Sequence, residues 1–109
     1  MPIRLRSALS MAFLAGAAVG ANAGATITVV QRGLVLNKSS LAVAKGDRVI
    51  FTNEDDVIHN IHIFGANDYE KDLGLQKPGA TLSYTFDKPG DYRVRCNIHP
   101  SIKMAVTVK

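Results

Sequence analysis

Residues 89–100 read PGDYRVRCNIHP, and this stretch decides the fold. Tyr92, Val94 and Cys96 alternate with Arg93 and Arg95, and a strand sends successive side chains to opposite faces. The apolar set marks the core face, so Cys96 points inward at the end of its strand. Pro89-Gly90 suits the two central positions of a type II turn, with proline fixing φ at the first and glycine permitting positive φ at the second. Beyond Cys96 the chain turns through Asn97 and Ile98 to His99 and Pro100. A thiolate and an imidazole three residues apart can meet at one ion when the segment between them is a tight loop. Met104 to Val108 then reads as a closing strand, with Ile102, Met104, Val106 and Val108 of one parity.

Working outward, the same signature recurs. Short alternating or β-branched runs stand between turn signals. Thr26–Gln31, Leu34–Leu36, Leu41–Val43, Arg48–Thr52, Val57–Phe64 and Ala80–Phe86 are expected as strands. Residues 65–79 are polar, contain Gly74 and Pro78-Gly79, and are expected as a long loop with one helical turn. Helical periodicity longer than a turn or two is missing. An all-β Greek-key β-sandwich of seven to eight strands follows, in a single domain.

His59 lies near the start of one of these strands. His59, Ile61 and Ile63 share a face, and the isoleucines mark that face as buried. Cys96 and His59 therefore both point inward near strand ends. Two histidines and one thiolate in a trigonal set are the donors of electron-transfer copper sites. Each residue also has a plainer role: a buried cysteine often serves as a small hydrophobe, and a histidine near a strand end often serves as a hydrogen-bonded surface residue. Zinc competes for the same donors, but a structural zinc site normally uses four of them, and the sequence has one Cys and three His. The third histidine, His62, has the opposite parity to His59 and is expected to point away from the metal. The acidic run Glu54-Asp55-Asp56 is expected as a solvated loop tip.

The first 23 residues read as an export signal. Arg4 and Arg6 precede the apolar run Ala8–Gly20, and Ala21-Asn22-Ala23 supplies an A-x-A cleavage site. The expected division is 1–23 secretory signal peptide and 24–109 mature domain, without a membrane span after cleavage, since a span needs about 20 apolar residues. A periplasmic location follows. Cys96, the one cysteine of the sequence, can make no internal disulfide, and a lone thiol in an oxidising compartment calls for an occupant. A metal would fill that role and staple a small core. The 13 Lys and Arg, less Arg4 and Arg6, leave 11 against 9 acidic residues, a net charge of +2. Basic residues are neither clustered beyond pairs nor interleaved with aromatics, which argues against nucleic acid and against a polybasic membrane patch.

The segments Val57-Ile58-His59-Asn60-Ile61-His62 and Pro89–Pro100 together resemble those of the plastocyanin-type cupredoxins. Within that family they are most similar to the amicyanin group, in the His-Asn-x-His stretch and the Cys-x-x-His-Pro loop. The resemblance runs from about Leu41 to Lys109. It implies a cupredoxin sandwich, one type 1 (blue) copper ion and electron carriage. It implies His59, Cys96 and His99 as equatorial ligands, with Asn60 tying the two ligand-bearing segments together. The axial position departs from the pattern. Amicyanin-like proteins place a methionine three residues after the loop histidine, where this chain has Ile102. Plastocyanin-like proteins place it five residues after, where this chain has Met104. A gap-free match puts Ile102 at the axial place, whereas choosing Met104 shortens the last strand by two residues. Loss of the thioether would raise the reduction potential, since the axial ligand is one of its tuners.

The expected function is a one-electron carrier between redox-partner proteins, active as a monomer. The alternative is a copper-tolerance protein that sequesters or delivers the ion. An enzyme is not expected, because no carboxylate or serine constellation accompanies the metal motif. Ile98, Pro100, Ser101 and Ile102 around His99 could form an apolar rim for electron exit, or simply pack the loop.

Overall fold

The computed structural model describes residues 24–109; the expected signal peptide, residues 1–23, lies outside the described residues. Nine strands form: β1 (Thr26–Arg32), β2 (Val35–Leu36), β3 (Ser40–Val43), β4 (Arg48–Asn53), β5 (His59–Phe64), β6 (Glu70–Gln76), β7 (Thr81–Thr85), β8 (Gly90–Arg95) and β9 (Lys103–Val108). They make two sheets, one of four strands in the order β2-β1-β4-β7 and one of five in the order β3-β9-β8-β5-β6. The pairs β1/β4 and β3/β9 are parallel and every other pair is antiparallel. No described residue is helical, and none belongs to a helix long and apolar enough to cross a membrane.

Alternation builds the core. Along β9 every second residue is buried, giving Met104, Val106 and Val108. Along β4 the buried set is Val49, Phe51 and Asn53. These meet Val29, Ile61, Ile63, Phe86 and Val94, all of which are fully buried. The all-β sandwich expected from the sequence is the observed one.

One strand lies where a loop was expected. β6 carries Glu70, Lys71, Asp72 and Gly74, residues that hide a strand pattern. It is an edge strand whose sole partner is β5, so its charges can face water and its missing alternation does little harm. A bulge between Ile61 and His62 shifts the register so that Gly74 faces Ile61 and Asp72 faces His62, and Gly74 takes φ +100° there. The expected turn at Pro89-Gly90 is also displaced: Gly90, at φ +145°, already belongs to β8.

Asn53 ends β4 and is fully buried. Its Nδ2 donates to Val57 O (2.8 Å) and Gln76 O (3.0 Å), while its Oδ1 accepts from Asp55 N–H (2.9 Å). One side chain thus shapes residues 54–58, the loop that delivers His59. Truncation would remove three hydrogen bonds and orphan buried groups at about 1–3 kcal/mol each. Asn53→Ala should therefore lower unfolding free energy by about 2–4 kcal/mol, measured by urea unfolding of the metal-free protein.

Candidate metal centre

The site is assembled at one end of the sandwich from two segments. β5 supplies His59 at its first residue, and the β8–β9 connection supplies Cys96 and His99. The connection is closed by two backbone hydrogen bonds, Cys96 N–H to Ile102 O (3.1 Å) and Ile102 N–H to His99 O (3.0 Å). Since Arg95 pairs with Lys103 and Val94 with Met104, Cys96 faces Ile102 on the last rung, and Met104 sits one same-face rung deeper.

His59 is fully buried, Cys96 is buried and His99 is half-buried. One donor atom from each lies within 4.8 Å of the other two. His59 Nδ1 is 3.2 Å from His99 Nδ1, and Cys96 Sγ is 3.9 Å from the same His99 nitrogen. The imidazole rings are nearly perpendicular, at 76°. Two nitrogens at that spacing can both reach one ion at the usual metal–imidazole distance of about 2.0–2.1 Å. The donor chemistry fits as well, because a thiolate with two imidazoles in a closed β scaffold is the set that suits copper.

Asp55 explains why the ring of His59 is turned this way. Its Oδ2 accepts from His59 Nε2 at 2.7 Å. That bond puts the proton on Nε2 and leaves the Nδ1 lone pair directed at the other donors. The same carboxylate accepts from Gly33 N–H (2.6 Å) and Leu34 N–H (3.1 Å). Those residues form the two-residue β1–β2 turn, with φ +69° and +60°. Leucine at positive φ is strained by about 1–3 kcal/mol, so the turn needs such a hold. Burial alone would push the Asp55 carboxyl upward, but the hydrogen bonds from His59, Gly33 and Leu34 outweigh it and hold the group below the usual carboxylate range. The expected solvated loop tip is thus half right. Glu54 and Asp56 are exposed, with Glu54 paired to Arg32, but Asp55 is turned inward and its side chain is only 11% exposed. A carboxylate four residues ahead of an inward histidine was the available signal.

Asn60 sits between the two segments. Its Oδ1 accepts from Asn97 N–H (3.0 Å), inside the Cys96–His99 loop. Its Nδ2 donates to Asp72 Oδ1 (2.8 Å) and Gly74 O (3.1 Å) on β6. The Gly74 N–H and the Asn60 amide hold Asp72 below the usual carboxylate range. His62 turns outward from the three donors, with Nε2 at 2.8 Å from Glu70 Oε1 and its ring stacked on Phe64.

The comparisons with known proteins agree with this chemistry. The sequence profile of the copper-binding proteins of the plastocyanin/azurin family matches residues 23–109. The methylamine utilization protein MauL of Methylorubrum extorquens is 32% identical over 73 residues, 67% of this chain and 64% of that protein. Amicyanin-alpha of the same organism is 32% identical over 69 residues, 62% of this chain and 58% of that protein. The matches thus span less than two thirds of either relative. Among solved structures, a Cu(I) form of an amicyanin mutant superposes with a TM-score of 0.71 at 26% identity, covering 77% of this chain and 82% of the other. The chain belongs to the plastocyanin/azurin family of copper-binding proteins and is amicyanin-like.

Asp55 and Asp72 have depressed folded-state values. Each therefore contributes stability that is present above the unfolded carboxylate range and lost as pH falls through the lowered value. Metal-free protein should lose stability below about pH 4. Asp72→Asn should be less stable at neutral pH and should lose less on acidification, as read from urea midpoints across that range.

Proposed function

We propose that this member of the copper-binding plastocyanin/azurin family is a periplasmic one-electron carrier, exported by residues 1–23 and working as the domain 24–109. The single observation that carries the reading is the convergence of one donor atom each from His59, Cys96 and His99 within 4.8 Å in a largely buried setting. His59, Cys96 and His99 are the proposed equatorial ligands. Bound there, copper supplies a one-electron couple between its two oxidation states.

The chain's own groups do the rest. Cys96 is the soft donor, and its burial keeps water from the thiolate. Asp55 holds His59 in one tautomer and one orientation. Asn60 holds the loop against β5 and β6, so that Cys96 and His99 keep their spacing to His59. Rigid donors move little when the charge on the centre changes, and this makes electron exchange fast. His99 is the half-buried ligand, flanked by Pro100 and by Ile98, which is 48% exposed. The electron therefore leaves by that edge. The partners are other redox proteins.

At the axial position we infer an apolar neighbour, Ile102. It is fully buried and faces Cys96 across the last rung. Met104 pairs with Val94 and stands two residues, about 7 Å, further along the strand, where it serves the core. An axial aliphatic group should favour the reduced ion and raise the potential.

Copper-loaded protein should show the intense blue thiolate-to-copper absorption, and Cys96→Ala should abolish it. A Cys96→Ala protein that keeps the band contradicts the ligand set. Fast electron self-exchange is expected; slow exchange, with expression that follows copper supply, would favour copper sequestration or delivery instead. Met104→Leu should leave the spectrum unchanged and move the potential by less than about 59 mV, which is tenfold for one electron. Ile102→Met should lower the potential and alter the band.

A further inference from the structure

The outer face of the five-stranded sheet carries a cluster of cations beside the metal centre. Arg93 and Arg95 alternate outward along β8, and Lys103 projects from β9; all three are exposed. Arg95 lies directly opposite Lys103 in the antiparallel register, and like charges placed so are destabilising. None of the three has a carboxylate within 4.0 Å among the described residues. The acids nearby are engaged elsewhere. Glu70 faces His62, Asp72 accepts from Asn60 and Gly74 N–H, and Asp91, at the far end of β8, accepts from Thr107. Nothing in the fold requires this repulsion.

Its position is informative. Arg95, Lys103, Cys96, Asn97, Pro100 and Phe64 line one hollow of about 350 Å³. The cations therefore border the sulfur-bearing residue. A second hollow, about 460 Å³, continues the same face past Arg93 to Val35, whose side chain is 50% exposed. Apolar ground next to unpaired Arg and Lys has the make-up of a transient docking surface, where charge steers the encounter more than it holds the complex.

We propose that Arg93, Arg95 and Lys103 form the docking face for a redox-partner protein that presents carboxylates, and that this face orients the partner so that it meets the centre at the neighbouring His99–Pro100 edge. The proposal rests on the carrier reading above. It assigns the partner's surface charge, which that reading leaves open.

The test uses the triple variant Arg93→Gln, Arg95→Gln, Lys103→Gln. All three side chains are exposed and one repulsive pair is removed, so the variant should melt no lower than the parent. The first probe is hexa-aspartate, followed through backbone amide NMR shifts of the metal-free protein. Shifts should concentrate on residues 93–95 and 103–105, should fade between about 0.01 and 0.15 M salt, and should vanish in the variant. Shifts that persist in the variant, or none at all, overturn the proposal. Equal shifts at the same residues from inorganic phosphate at matched ionic strength also overturn it, because they describe a small-anion site. The second probe is stopped-flow oxidation of reduced, copper-loaded protein by hexacyanoferrate(III), in which one electron leaves the protein and hexacyanoferrate(II) forms. At low salt the variant should react roughly tenfold more slowly than the parent, while its rate with the cation tris(phenanthroline)cobalt(III) should not fall. A parent that reacts slowly with both reagents contradicts the carrier reading and leaves the peptide result standing. Fast reactions of parent and variant alike with both reagents overturn the docking face alone.

Discussion

The site depends on one bond, from His59 Nε2 to the Asp55 carboxylate. A histidine has two nitrogens, and which one is free to bind a metal is set by what the other one touches. Here the acceptor is fixed, so Nδ1 is the free nitrogen, and it faces His99 Nδ1 across 3.2 Å. The carboxylate is in turn fixed by the N–H groups of Gly33 and Leu34. Those two residues hold a strained turn, and Ser101 Oγ–H donates to Leu34 O (2.7 Å) from the ligand loop itself. The β1–β2 turn, the 54–58 loop and the β8–β9 connection are therefore one hydrogen-bonded unit. Its members lie far apart in sequence, and the sandwich brings them together at one end.

The division of labour between sheets follows from this. The four-stranded sheet supplies the supports, through Asn53 at the end of β4 and the turn after β1. The five-stranded sheet supplies the donors, through the start of β5 and the end of β8. Apolar side chains between the sheets, with Phe51, Phe86, Ile61 and Ile63 fully buried, hold the two sets in register. The donors are accordingly held in place by packing and hydrogen bonds from both sheets. That is what an electron carrier requires, because each redox cycle should displace few atoms. The same end of the molecule has one apolar edge at Ile98 and Pro100 and one basic face at Arg95 and Lys103. The first suits close approach and the second suits orientation.

Parity along β5 and β8 placed His59 and Cys96 inward, because both strands are regular where those residues sit. The outward turn of His62 was legible in the same way, since the bulge beside it adds its extra residue, Leu73, to β6 and leaves the parity of β5 intact. β6 was not legible, since an edge strand tolerates charges and a glycine that a central strand would not. Asp55 was missed, although a carboxylate four residues ahead of an inward histidine was there to be read. Its partners at Gly33 and Leu34 are 22 and 21 residues away, and local patterning says nothing about such contacts. The rank of Ile102 over Met104 was open in the sequence. In the fold Met104 is paired with Val94, while Ile102 closes the loop against Cys96. The basic face was hidden in the plainest way: Arg93 and Arg95 served only to mark the outer side of a strand, and Lys103 joins them through the β8–β9 pairing within the five-stranded sheet.

The proposed centre is a copper ion held by one sulfur and two imidazoles, with no second sulfur. X-ray absorption of the copper-loaded protein at the copper edge, in both oxidation states, tests it most directly. One short sulfur scatterer and two imidazole rings, nearly unchanged between the states, are expected. A shell of nitrogen and oxygen alone would contradict it, as would a second sulfur at bonding distance.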